Sequence, residues 1–191
     1  MNTINPTKVA LMDLAQEILQ TKSFSSVSFQ TLALGVGIKK GSVYYHFQTK
    51  EDLSEAIIDR LMKMLQQSLL EIQNEPVENQ LSIYVNWFEN HIGAAQKLCP
   101  AASFAATWDA VPERTKSKVQ ELYNLHQHSL AKMIQNGRDK GVFAITNKSA
   151  EELAIIAFAL LQGGLVSSRV SQSRYEFEAC KAAALHMVKA G

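Results

Sequence analysis

An all-α fold is predicted, and three observations carry it. Apolar residues recur at helical spacing along the long segments, as in Leu53, Ala56, Ile57, Leu61, Met64 and Leu65. Helix start and stop signals fall between those segments: Asn5-Pro6, Ser28, Thr49 with Asp52, and Ser149 with Glu152 as starts, Gly37 and Gly141 as stops. No segment sustains the period-two alternation of a half-buried strand, so no strand is expected.

Taken in order, the first helix is expected from Pro6 to about Lys22, with Asn5 as N-cap and Pro6 at the first helical position. Leu11, Leu14, Ala15, Ile18 and Leu19 form its apolar face, and Phe24 is placed to close the same small core. A short helix capped by Ser28 follows, with Phe29, Leu32 and Ala33 inward. Gly35 and Gly37 end it, because glycine takes the left-handed conformation that reverses a chain cheaply. Lys39, Lys40, Gly41 and Ser42 then open a second short helix, with Val43 and Phe47 inward and Tyr44, Tyr45 and His46 outside.

From Lys50 a long helix runs to about Gln73, where Asn74-Glu75-Pro76 breaks it. Helices are expected at Val77 to Gln96, from Pro100 through Phe104 and Trp108, and from Pro112 to Lys140. A nearly all-apolar helix follows Ser149, and Ser173 with Glu176 is expected to cap the last one.

Two short helices around a glycine-bearing turn make a helix-turn-helix, whose second helix enters the major groove of DNA. The local charge agrees. Between Ile18 and Lys50 the ionised residues are Lys22, Lys39, Lys40 and Lys50, with no Asp or Glu. Lysine ammonium groups and hydroxyls on a protruding helix are what phosphate contacts require.

The run Leu32-Ala33-Leu34-Gly35-Val36-Gly37-Ile38-Lys39-Lys40-Gly41-Ser42-Val43-Tyr44-Tyr45-His46-Phe47, followed by Lys50-Glu51-Asp52-Leu53, resembles the DNA-binding signature of the TetR/AcrR family of one-component repressors. It covers about the first third of the chain. It departs from the family pattern at Thr31, Val36 and Lys39, where an acid, Ala and a capping Ser are usual. The resemblance implies that Lys39, Lys40, Gly41 and Ser42 face bases or phosphates. It implies that Tyr45 and His46 reach phosphates, and that Lys50 anchors another at the next helix N-terminus. Tyr44 is expected to turn its ring inward and its hydroxyl outward. A C-terminal domain that binds a small inducer is also implied.

The rest of the chain supplies candidates of its own. Trp87, Phe88, His91, Phe104, Trp108, Tyr123 and Phe158 are each ordinary core residues taken singly. As a set, bulky aromatics with a few polar tips are how an apolar ligand site is built. Cys99 precedes a proline near an expected helix start, a possible thiol sensor; the plainer reading is a buried structural thiol. His126 and His128 leave a helix in different directions and are expected in solvent, which makes them a poor metal pair. Gly163 and Gly164 inside the apolar helix cost ~1 kcal/mol each relative to Ala. They are read as the close approach of another helix, in a four-helix bundle shared with a second copy of the chain.

Composition narrows the class. At 191 residues the chain can hold a real core, and a net charge of +1 leaves any basicity local. No apolar run approaches the ~20 residues of a membrane span, and the N-terminus lacks the apolar core of a signal peptide. Two cysteines, Cys99 and Cys180, make neither a disulfide framework nor a zinc cluster, so a reducing cytoplasm is expected. No nucleophile with an assembled base, metal spacing or phosphate loop is found, so no enzyme, metal or cofactor is expected.

The expectation is therefore a homodimer with a three-helix DNA-binding domain at 5–65 and a larger helical ligand-binding and dimerisation domain at 66–191. Its partners are a palindromic double-stranded operator and a small apolar or aromatic inducer that releases it, with no membrane. The alternatives are a sensor of electrophiles or oxidants using Cys99 in the same fold, and a helical scaffold that does not bind DNA.

Overall fold

The computed structural model describes residues 5–93 and 95–190, without the side chains of His91, Ile92 and Ala190. Among the described residues the regular structure is helical. The α-helices are α1 (Pro6–Thr21), α2 (Phe29–Val36), α3 (Lys40–His46), α4 (Lys50–Ile72), α5 (Val77–Ile92), α6 (Pro100–Ala105), α7 (Glu113–Asp139), α8 (Ala150–Ser171) and α9 (Tyr175–Ala190), with single 3-10 turns at Phe24–Ser26 and Trp108–Ala110. The all-α reading is correct.

The helix ends follow from local chemistry. Asn5 Oδ1 accepts from the Thr7 and Lys8 amides at 2.9 and 3.4 Å, and Ser28 Oγ accepts from the Thr31 amide at 3.1 Å. Two reciprocal boxes form: Thr49 with Asp52, at 2.9 and 3.0 Å, and Ser149 with Glu152, at 2.7 and 3.1 Å. The third expected box does not form. Ser173 Oγ accepts instead from the Tyr175 amide at 3.1 Å. Gly37 ends α2 in the left-handed region, φ 74 and ψ 34, while Gly35 stays inside the helix.

The chain forms two compact units. The first comprises Met1–Lys63 and Pro100–Leu122, and the second Met64–Cys99 and Tyr123–Gly191. The first change of unit falls within α4, between Lys63 and Met64. The allocation of residues 100–122 to the first unit was not expected.

In the first unit Leu11, Ala15, Leu32, Val43, Leu53 and Ile58 are fully buried, so α1, α2, α3 and the start of α4 share one core. Phe24 closes it as expected, and its ring meets Phe104 of α6 at 5.6 Å. Ion pairs hold the start of α7 to α4: Arg114 to Glu55 at 2.9 Å and Lys118 to Asp59 at 2.6 Å.

In the second unit α8 packs against α9 and α5. Glu89 of α5 pairs with Arg174 at 2.6 Å and with Lys181 of α9 at 2.9 Å. A Cβ on Gly164 would lie 2.9 Å from Cys180 Cβ and 3.1 Å from Phe177 Cα, so the α8–α9 contact needs glycine there. Gly163 is exposed, and a Cβ there meets nothing within 4 Å. The close approach read for the pair is therefore made at Gly164, and within the chain. Contrary to the expectation that no apolar run approaches a membrane span, α8 is long and apolar enough to cross one by length and composition, yet half of its most apolar window is buried inside the protein.

Candidate nucleic-acid interface and sensor residues

α3 is pinned by two residues. Val43 and Phe47 are buried, one turn apart, and their burial turns the opposite face of the helix outward. Lys39, Lys40, Gly41 and Ser42 are all exposed at its front. Lys39 occupies the N-cap position without a side-chain cap bond, so the amide groups of the first turn are not capped by that side chain. A Cβ on Gly41 would meet nothing within 4 Å, which leaves the backbone open to close approach.

Tyr45 is 85 % exposed and stacks edge-on with His46 at 5.2 Å. Tyr44 is 48 % exposed, and its ring packs edge-on against Phe29 at 5.0 Å. The ring therefore anchors α3 to α2, as the inward half of the expectation for Tyr44 requires. Lys40 Nζ lies 6.0 Å from the centre of the same ring.

Lys50 makes two contacts inside its own unit. Its Nζ donates to the Phe24 carbonyl oxygen at 2.6 Å and lies 3.8 Å from the Phe24 ring centre. Burial lowers its pKa from the ordinary lysine value. The ammonium is thereby engaged with Phe24 of its own unit. The residue it bonds lies 26 positions earlier in the chain, which local reading of α4 does not reveal.

The aromatic candidates divide. Phe104 and Trp108 belong to the first unit. There Phe104 meets Phe24, and Trp108 carries the Lys116 ammonium 5.7 Å from a ring centre. In the second unit Phe158 is the hub, with ring centres of Tyr123 at 4.7 Å, His126 at 5.1 Å and Phe88 at 5.8 Å. Trp87 is half-buried and joins through Tyr84 at 5.4 Å. His91 lies outside the described side chains.

Two members were missed from sequence. Tyr84 is fully buried and shares a hydrogen bond of 3.0 Å with His126 Nδ1. His126 stacks on Phe158 with planes 22° apart, so it is not the solvated residue expected, whereas His128 is exposed. The pairing spans 42 residues, and only the periodic position of Tyr84 on α5 hinted at burial. Burial pushes the Tyr84 hydroxyl well above the ordinary tyrosine range, and the charge of Cys99 adds to this. Tyr123 shifts the same way for the same two reasons. Cys99 is thus a buried neighbour of two tyrosines at the head of α6, and Cys180 is half-buried beside Gly164. Gln162 of α8 was also missed. It is 8 % exposed, and neither Oε1 nor Nε2 has a hydrogen-bond partner. Among the described residues no group of three or more His, Cys, Asp or Glu is placed to hold a metal ion.

Known proteins share both parts of this arrangement. The sequence pattern of bacterial regulatory proteins of the tetR family matches residues 11–57, and that of the tetracyclin repressor-like C-terminal domain matches residues 74–184. The chain is 24% identical over 174 residues to an uncharacterized HTH-type transcriptional regulator in the lacX 3' region of Lactococcus lactis, covering 87% of this chain and 85% of that one. It is 26% identical over 118 residues to the HTH-type transcriptional regulator EthR of Mycolicibacterium smegmatis, spanning 56% of this chain and only 54% of that relative's length. The crystal structure of a TetR family transcriptional regulator from Agrobacterium tumefaciens superposes with a TM-score of 0.89 at 22% identity, covering 96% of this chain and 98% of the other. With an exposed α3 seated on a buried core, and with family patterns matching both its N-terminal and its C-terminal parts, the chain belongs to the TetR family of helix-turn-helix, DNA-binding transcriptional regulators.

Proposed function

We propose that the protein is a cytoplasmic, ligand-responsive repressor that binds a palindromic operator as a homodimer and leaves it when a small, largely apolar aromatic compound occupies the second unit. The observation that carries DNA recognition is the front of α3. Lys39, Lys40, Gly41, Ser42 and Tyr45 are all exposed on a helix fixed from behind by Val43 and Phe47. Lysines and hydroxyls there suit phosphates and base edges.

Dimerisation is supported by an apolar face that α8 and α9 leave uncovered. Ile155, Ala159, Gly163, Val166 and Val170 are exposed at helical spacing on α8, and Tyr175, Ala179 and Ala183 on α9. Val170 is 82 % and Tyr175 77 % exposed. A contiguous apolar face of this kind marks an association surface, and a two-fold copy of a helix pair completes a four-helix bundle. A palindromic operator offers such a dimer two half-sites about one DNA turn apart, ~34 Å.

The ring cluster around Phe158, with the polar tips of Tyr84, Tyr123 and His126, supports ligand binding. A ligand releases the operator only by binding one conformation better than the other. α4 and α7 each contribute residues to both units, so a shift of either helix in the second unit is carried covalently into the first.

The test is a gel shift on DNA flanking the protein's own gene. A retarded band that resists non-specific competitor and maps to an inverted repeat supports the reading. Weak retention, indifferent to sequence, supports the helical scaffold instead.

A further inference from the structure

Among the described residues three glutamines are buried, and two of them have hydrogen-bond partners. Gln80 Nε2 donates to the carbonyl oxygens of Gln73 and Glu75 at 3.1 and 2.8 Å, and Gln20 Oε1 accepts from Gln16 Nε2 at 3.2 Å. Gln162 has no partner for either amide atom. A buried amide left unpaired costs stability that a Leu or Met in its place would not, so its presence on an otherwise apolar helix calls for a function.

Its place on α8 is informative. The α9 side of the helix is taken by Gly164 and by Ser168, whose Oγ accepts from the Phe177 amide at 3.0 Å. Gln162 lies one turn after Phe158, on the same side of α8 by helical spacing, and the Phe158 ring is the one that meets Tyr123, His126 and Phe88. Helical side chains lean toward the N-terminus, which carries the amide back toward the level of the Phe158 ring.

We infer that Gln162 is the polar recognition residue of the second unit, and that its ligand is a neutral aromatic compound carrying a carboxamide or lactam edge. The inference rests on the proposed sensor role of that unit. Gln162 offers one acceptor and one donor side by side and carries no charge. A group with the complementary donor and acceptor satisfies both atoms at once. A ketone leaves the Oε1 unpaired, and a carboxylate sets its oxygens against it. Rings already pack edge-to-face around Phe158, the geometry in which a flat aromatic body is held. Both amide atoms are sealed from solvent in this conformation, so a ligand reaches them only by moving neighbouring side chains. The conformation that opens to the amide is then the one the ligand stabilises, which is the difference between states that release from DNA requires.

The test uses the full chain and three naphthalenes of nearly equal size: 2-naphthamide, methyl 2-naphthyl ketone and 2-naphthoate. Binding is read by tryptophan fluorescence and by release from operator DNA. The amide is expected to bind about tenfold more tightly than the ketone, the difference that one net hydrogen bond makes. In Gln162→Leu and Gln162→Met that ratio falls to near one, chiefly because the amide binds less well. Both variants are expected to unfold at or above the wild-type temperature, and the unbranched Met serves if the Leu variant fails to fold. Equal binding of amide and ketone to wild type, tighter binding of the naphthoate, or an unchanged ratio in both variants overturns the inference and leaves the sensor role standing. If none of the three binds, the inference and the aromatic sensor role fall together.

Discussion

The Lys50 ammonium and the Phe24 residue are joined twice, through a 2.6 Å hydrogen bond to the carbonyl and a 3.8 Å contact with the ring face. A cation at that distance from a ring adds electrostatic attraction to the hydrogen bond. Lys50→Met is therefore expected to destabilise the first unit by about 1–3 kcal/mol, the cost of leaving a carbonyl without its partner. Thermal denaturation checks this. If Lys50→Met melts with wild type but binds DNA more weakly in proportion to salt, the residue is a phosphate contact after all.

The exposed residues of α3 should separate into two kinds. Tyr45→Ala is expected to weaken operator and unrelated DNA alike, and each lost ionic contact with phosphate flattens the log–log salt dependence by ~0.9. Lys40→Ala and Ser42→Ala are expected to alter which operator positions are preferred. Binding to a randomised operator library reads both effects, and an unaltered preference in the Lys40 and Ser42 variants would remove them from the base-reading set.

The two neighbouring glycines of α8 should behave oppositely. Gly164→Ala forces a methyl group against the Phe177 backbone and Cys180, an overpacking expected to cost about 1–3 kcal/mol. Gly163→Leu meets open space in its own chain and is expected to leave the secondary structure intact while shifting the dimer toward monomer. Light scattering and circular dichroism distinguish the two. A wild-type protein that is monomeric at micromolar concentration defeats the dimer.

Acid should loosen the second unit through Glu89. Lys181, as hydrogen-bond donor and as charge, together with Arg174, holds the Glu89 carboxyl below the ordinary glutamate value. A depressed carboxylate pKa contributes stability that is present above the unfolded pKa and lost as pH falls through the folded one. Glu89→Gln is therefore expected to remove part of the acid sensitivity below the ordinary glutamate range and to weaken the α5–α9 clasp at neutral pH. An acid denaturation curve identical to wild type refutes this.

Cys99 provides the contrast between non-covalent and thiol sensing. It is buried next to Tyr84 and Tyr123, a setting that restricts access by electrophiles. Cys99→Ser is expected to keep responding to the compounds that release wild type, while Trp87→Ala responds less. Should Cys99→Ser stay on DNA under every such compound, the protein is a thiol sensor.

What the sequence by itself determined is what short-range chemistry controls. Asn5, Ser28, Thr49 and Ser149 sit within three residues of the amides they cap, and Gly37 reverses the chain without help from elsewhere. The inward positions of Val43 and Phe47 follow from helical spacing, and with them the outward face of α3. Tertiary structure decided the rest, because those contacts join residues tens of positions apart. Phe104 is drawn to Phe24 by ring packing, which puts α6 in the first unit. Lys50 turns inward because a carbonyl 26 residues away needs a donor. Gly164 rather than Gly163 meets another helix because helix rotation, set by the packing of α9, turns adjacent residues 100° apart. His126 is held by Tyr84 and Phe158, and Gln162 is buried without a hydrogen-bond partner, neither of which a local pattern records.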